Sequence, residues 1–252
     1  MGSSKRHRSP PQLARRELLR IDGEPVSVTI RHNPRARRLI IRVHPTTGEV
    51  TVVAPSRRAI DHALDFARSE SAWIKRRLAK VPQIVELALG ASVLFRGEEH
   101  AVVPGGRGPA PVWADAKDGN RLIRVSGRAE HAPRRLLDFF KREARQVLTQ
   151  RTLELAEKIG KRPARVSVRD TQSRWGSCST ERSLSFSWRL ILAPPFVLDY
   201  VVAHEVAHMR HMNHGPRFWK LVRELCCEAE AAQRWLLRNG PLLHRYAVRH
   251  AG

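Results

Sequence analysis

At 252 residues, with 42% hydrophobic and 28% charged residues, the chain holds enough apolar material for one large domain or two small ones. No apolar run reaches the ~18 residues of a membrane span, and the polar, basic start MGSSKRHRSPPQ lacks the apolar stretch of a secretory signal, so neither a membrane protein nor an exported one is expected. Forty-six Lys and Arg against 24 Asp and Glu leave a net charge of +22, which attracts polyanions such as nucleic acid non-specifically but does not by itself define a function.

In chain order, residues 1–19 read as a disordered basic tail, 20–130 as a β-rich N-terminal portion and 131–252 as a second, zincin-like portion. Val26, Val28 and Ile30, then Leu39, Ile41 and Val43, then Val50, Val52 and Val53 predict three strands in an antiparallel meander, with turns at His32–Pro34 and Pro45–Gly48. Ser56 is the N-cap of a helix bearing Ile60, Ala63, Leu64, Ala67, Ile74 and Leu78. Residues 92–127 are strand-like again, with a turn at Asp118-Gly119.

A long helix is expected over 133–159, with Pro133 in its first turn, Leu137, Phe140, Ala144 and Val147 on one stripe, and Gly160 as its stop. Val166 and Val168 mark a short strand. Leu184, Phe186 and Trp188, alternating with serines, mark another. From Phe196 to about His211 the chain predicts a helix that is apolar all round and therefore central to a domain. Phe218, Leu221, Val222 and Leu225 form the core-facing stripe of a further helix, and 229–238 a last one closed by Asn239-Gly240. The fold class is α+β: a β-rich N-terminal portion, then a zincin-like helical half with a small sheet beside the active-site helix. Cys178, Cys226 and Cys227 are odd in number and lack framework spacing, which fits a reducing, cytoplasmic setting.

The central helix carries His204-Glu205-Val206-Ala207-His208, an H-E-x-x-H motif. Residues four apart lie on one helix face, so both imidazoles can reach one zinc ion, while Glu205 projects beside them, placed to take a proton from a zinc-bound water. A catalytic zinc needs a third protein ligand. On an unbroken helix His211 would sit roughly 10 Å along the axis from His204, an awkward span for one ion. His214, followed by the helix-breaking Gly215-Pro216, is the favoured third ligand, and His211 is a supporting polar group. Trp219 falls off the apolar stripe of its helix, where it can pack over the metal site.

Asp170 to Ser179, which includes Arg174-Trp175-Gly176-Ser177-Cys178, resembles the RWGSC signature of the YgjP-like metallopeptidases, relatives of the SprT-like zinc proteases. The stretch His204 to Trp219 is similar to that family's second signature, and the likeness extends over about residues 20 to 245. The resemblance implies a zinc-dependent metallohydrolase acting on a peptide or protein, with His204, His208 and His214 as ligands and Glu205 as general base. Arg174 is a candidate for stabilising an oxyanion or for a structural ion pair, Trp175 for the core, and Cys178 for a small buried residue more than a nucleophile. A strand edge beside the zinc helix could hold an extended peptide. The alternatives are a basic nucleic-acid-binding protein with a non-catalytic metal site, a protease acting on DNA-bound proteins, and a non-peptide amidohydrolase.

Overall fold

A computed structural model describes residues 14–44, 47–81, 83–117, 119–171 and 174–247. The tail expected over 1–13, part of the turn at 45–48, Asp118 of the Asp118-Gly119 turn, and Gln172 and Ser173 of the signature lie outside the described residues. The architecture is mixed α+β, as its alternating patterns predicted. It divides into two compact units, residues 1–82 and 83–252, so the β-rich sequence is shared between them.

In the first unit, β1 (Ala14–Ile21) and β2 (Glu24–His32) form a hairpin through Asp22-Gly23, and β3 (Ile40–Val43) and β4 (Val50–Ala54) complete a sheet of order β1-β2-β4-β3. Residues 14–19, expected in a tail, therefore belong to a strand. Leu19 and Ile21 are buried in the unit's core, which favours pairing over exposure. The expected meander is also corrected: β3 and β4 are antiparallel, but β4 inserts beside β2 in parallel. Val50, Val52 and Ala54 on one face of β4 are fully buried and Thr51 and Val53 on the other are half-buried, and so well covered a strand suits the middle of a sheet.

Ser56 Oγ accepts from the Ala59 N–H at 3.2 Å, as its capping role predicts. The single helix expected after it is three short ones, α1 (Arg57–Asp61), α2 (Ala63–Ser69) and α3 (Ser71–Leu78). The breaks at His62 and Glu70 bend the path so that Ala63, Ala67 and Ile74 are all fully buried in the same core as the sheet.

The second unit opens with β5 (Val85–Glu86), then β6 (Ser92–Phe95), β7 (Glu98–Pro104), β8 (Val112–Lys117) and β9 (Asn120–Val125), the last four in the order β6-β7-β9-β8. The long helix is α4 (Ala132–Lys158); its most buried stripe is Leu136, Phe140, Ala144, Leu148 and Leu155, with Leu137 and Val147 at the margin. A second sheet follows, β10 (Arg165–Arg169), β11 (Gly176–Cys178) and β12 (Ser183–Ser187), ordered β10-β12-β11 so that β11 is an edge. Its inward residues Leu184 and Phe186 join α4 in the main core, together with α5 (Pro195–His208).

The helices α6 (Pro216–Leu225) and α7 (Ala229–Leu243) complete the unit, and β13 (Tyr246–Ala247) pairs in parallel with β5. Helix α7 does not close at Asn239-Gly240 but runs on to Leu243. Gly240 is buried against Trp175, where a Cβ would come 3.2 Å from the indole, so this glycine serves packing and not termination. No helix among the described residues is long and apolar enough to cross a membrane.

Candidate metal centre

Helix α5 is buried on every side, through Val197, Leu198, Tyr200 to Ala203 and Glu205 to Ala207. It ends at His208, three residues before the expected stop. Successive bonds from the N–H groups of Met209, Arg210 and His211 to Val206 and Ala207 then turn the chain, and Gly215-Pro216 starts α6. This reversal brings His214 back over the helix end.

The rings of His204, His208 and His214 lie 4.7 to 5.1 Å apart, and one ligand atom from each falls within 4.8 Å of the others. His204 Nε2 and His214 Nε2 are 3.2 Å apart. His208 Nδ1 faces the His211 carbonyl at 3.1 Å; as donor to that oxygen it leaves Nε2 as a lone pair. His211 thus contributes its backbone and not its ring. Two imidazole lone pairs at such a separation repel unless a proton or a cation lies between them, and the third nitrogen nearby makes a metal ion the fitting partner.

Electrostatics act in the same direction. Burial, and then the charges His208 and His214 would carry, push the His204 pKa down to about 4. Burial also lowers His208. At neutral pH both imidazoles are therefore in the neutral form that binds metals.

Phe218, fully buried, stands against all three imidazoles, with ring centres 4.9, 4.6 and 4.7 Å from those of His204, His208 and His214. Sequence reasoning placed it only in a core stripe; the available signal was its position four residues after His214. Trp219 does pack at the site, 5.7 Å from His204 and 5.8 Å from His214. Tyr200, one turn before His204, has its ring 5.9 Å away and its hydroxyl held by Gln233 Nε2 at 2.9 Å.

Glu205 is only 6% exposed, and burial raises its carboxyl to about 7, an effect partly offset by the positive charge of Arg174. Strand β11 lies directly on it: a Cβ at Gly176 would sit 2.6 Å from both Cγ and Oε1 of Glu205. Gly176 is thus the residue type that this close approach requires. Cys178, two residues on, has its thiol pushed up to about 11 by burial and by the Glu205 charge, so it is protonated at neutral pH and unsuited to nucleophilic attack.

Trp175 packs against the main core with its ring 4.8 Å from that of His244, and its carbonyl accepts from the Ser187 N–H at 2.9 Å. Arg174 is exposed, and its carbonyl accepts from Thr171 Oγ1 at 2.7 Å. The ion pair of this segment is Asp170 with the buried Arg189, which the sequence reading did not single out.

A buried helix presenting two histidines and a carboxyl, closed by a third histidine from the following turn, defines the metal-dependent peptidase class. The family model described as "YgjP-like, metallopeptidase domain" matches residues 37–239, and the chain belongs to that family. No curated protein and no solved structure matches it. Membership establishes a metal-dependent hydrolase that acts on peptide or protein.

Proposed function

We propose that this chain is a zinc-dependent peptidase in which His204, His208 and His214 hold the ion and Glu205 is the general base. The observation that carries the reading is the meeting of three imidazole nitrogens within 4.8 Å beside a buried carboxyl covered by β11. Three neutral nitrogen donors suit zinc over harder, oxygen-seeking cations. Zinc, when bound, supplies a Lewis acid that polarises the scissile carbonyl and makes water more acidic.

The chain's own residues do the rest. Glu205 takes the proton of the attacking water and returns it to the leaving amine, as a carboxyl held under β11 on the same helix as His204 and His208 can. Gly176 holds β11 close enough to keep that carboxyl in place and out of bulk water. As a sheet edge, β11 offers main-chain groups along which an extended peptide can pair. Phe218 fixes the three rings, so little reorganisation is needed on binding the ion. Free Cys178, Cys226 and Cys227 accord with a cytoplasmic setting.

The test combines metal analysis with hydrolysis of a quenched fluorescent peptide library. Wild type should carry about one zinc per chain and cleave. His214→Ala should lose both properties, and Glu205→Gln should keep the zinc and lose cleavage. Full activity in Glu205→Gln, or zinc retained in His214→Ala, would overturn the assignment. A protein that unfolds on chelation and cleaves nothing would be a metal-stabilised binding protein instead.

A further inference from the structure

The sheet of β10, β12 and β11 has one face in the core, through Leu184 and Phe186, and a second face of different chemistry. In register, Arg165 pairs with Ser183, Ser167 with Ser185, and Ser177 with Ser185, all one residue out of step with the buried pair. Over these residues runs a groove of about 640 Å³, bounded at one end by Thr171, Arg174 and Gly176. Arg165, Arg169 and Arg174 are exposed and line it, and among the described residues no Asp or Glu does.

The nearby carboxylates are committed elsewhere. Asp170 pairs with Arg189, Glu181 accepts from Thr180 Oγ1 at 2.6 Å, and Glu205 is buried under Gly176. Among the described residues none of the three groove arginines has an ion-pair partner. Three exposed guanidinium groups without an ion pair, set among hydroxyls, make an anion-binding surface.

This surface adjoins the catalytic centre through Gly176, which lines the groove and rests on Glu205. Among the described residues no aromatic side chain lines the groove to stack a nucleobase, and the groove borders the β11 edge, where an extended peptide would pair. Both points favour an acidic peptide over nucleic acid.

We propose that the groove of Arg165, Arg169 and Arg174 binds acidic side chains of the substrate, so that the enzyme selects peptides with a cluster of Asp or Glu near the scissile bond. This rests on the peptidase reading above and adds its substrate class. Exposed charge pairs contribute about two- to fivefold each, so two or three together give a preference of about tenfold.

The test measures binding of short labelled peptides, identical except for a run of Asp, Asn or Lys, to zinc-loaded Glu205→Gln protein. The Asp peptide should bind about tenfold more tightly than the Asn peptide, less so at high salt. Arg165→Gln with Arg169→Gln should bring that ratio close to one at unchanged zinc content and circular dichroism. Arg165→Glu with Arg169→Glu should reverse the order of the Asp and Lys peptides. Equal binding of all three peptides, or a preference that survives both variant pairs, would overturn the proposal. So would a duplex oligonucleotide that outcompetes the Asp peptide and loses affinity in the same variants, since the groove would then belong to nucleic acid. Cleavage of the Asn peptide by wild type is scored in parallel. Its absence, with the acidic preference intact, would count against the peptidase reading and not the groove; cleavage with no charge preference would count against the groove alone.

Discussion

Gly176→Ala isolates the contact between β11 and Glu205, the proposed general base. The added methyl would lie 2.6 Å from Glu205 Cγ and Oε1 and 2.9 Å from Cδ. Ordinary carbon contacts are about 3.5–4.0 Å, so either the carboxyl or the strand must shift by roughly 1 Å. Gly176 is absent from the glycines with positive φ, so its backbone accepts alanine and the closest conflict is with Glu205. A displacement of about 1 Å at a catalytic group can lower turnover by about 10²-fold, or about 2.7 kcal/mol of barrier.

The three atoms nearest the new methyl all belong to Glu205, so metal content should stay at the wild-type level. The assay is kcat on a fluorogenic peptide, with zinc measured on the same samples. The double variant Gly176→Ala/Glu205→Gln should be no slower than Glu205→Gln, because both changes disable one group. Wild-type kcat in Gly176→Ala, or additive losses in the double variant, would refute the idea that Gly176 positions Glu205.

Three further outcomes follow from the same geometry. In chelator, the Glu205 carboxyl at about 7, against 4.5 when unfolded, binds more protons in the folded state, so its contribution falls as pH rises from 4.5 through 7, by about 3 kcal/mol in all; His204, lowered from 6.5 to about 4, acts oppositely between those two values. Urea denaturation across that range should show wild type and Glu205→Gln nearly alike at the acid end and wild type losing stability relative to Glu205→Gln as pH rises, and a constant difference would contradict it. Phe218→Ala should cost about 3–5 kcal/mol and weaken zinc binding in a competition assay, because one ring supports three ligands. Asp170→Ala should cost about 1–3 kcal/mol by leaving the buried Arg189 guanidinium unpaired, read as a lower urea midpoint with zinc content intact.

What the sequence made legible was local. Helix periodicity placed His204 and His208 on one face, and Gly215-Pro216 signalled the turn that returns His214. The Ser56 cap and the alternation of Leu184 and Phe186 with serines likewise depend only on near neighbours. Strand order did not follow from spacing, because the parallel pairing of β2 with β4 joins strands that are not neighbours in the chain, and alternation within a strand does not say which partner it takes. The bends at His62 and Glu70 were hidden for a similar reason, since continuous helical spacing is compatible with a path that follows a sheet. Phe218 looked like any core aromatic until the His214 turn placed three rings against it. The pressure of Gly176 on Glu205 joins residues on different elements, and no window of sequence contains both.

The order in which this centre can come together during folding follows from where its parts lie in the chain. His204 and His214 are ten residues apart, so closing that loop costs little entropy and needs no sheet. The cover over Glu205 comes from a β11 strand that must first pair with β12 and pack on α5. Ion capture can therefore precede catalytic competence, and a refolding chain offered Co(II), whose visible absorption reports binding where zinc is silent, should take up the ion before it regains turnover. The interval between the two signals would time the arrival of a three-residue strand.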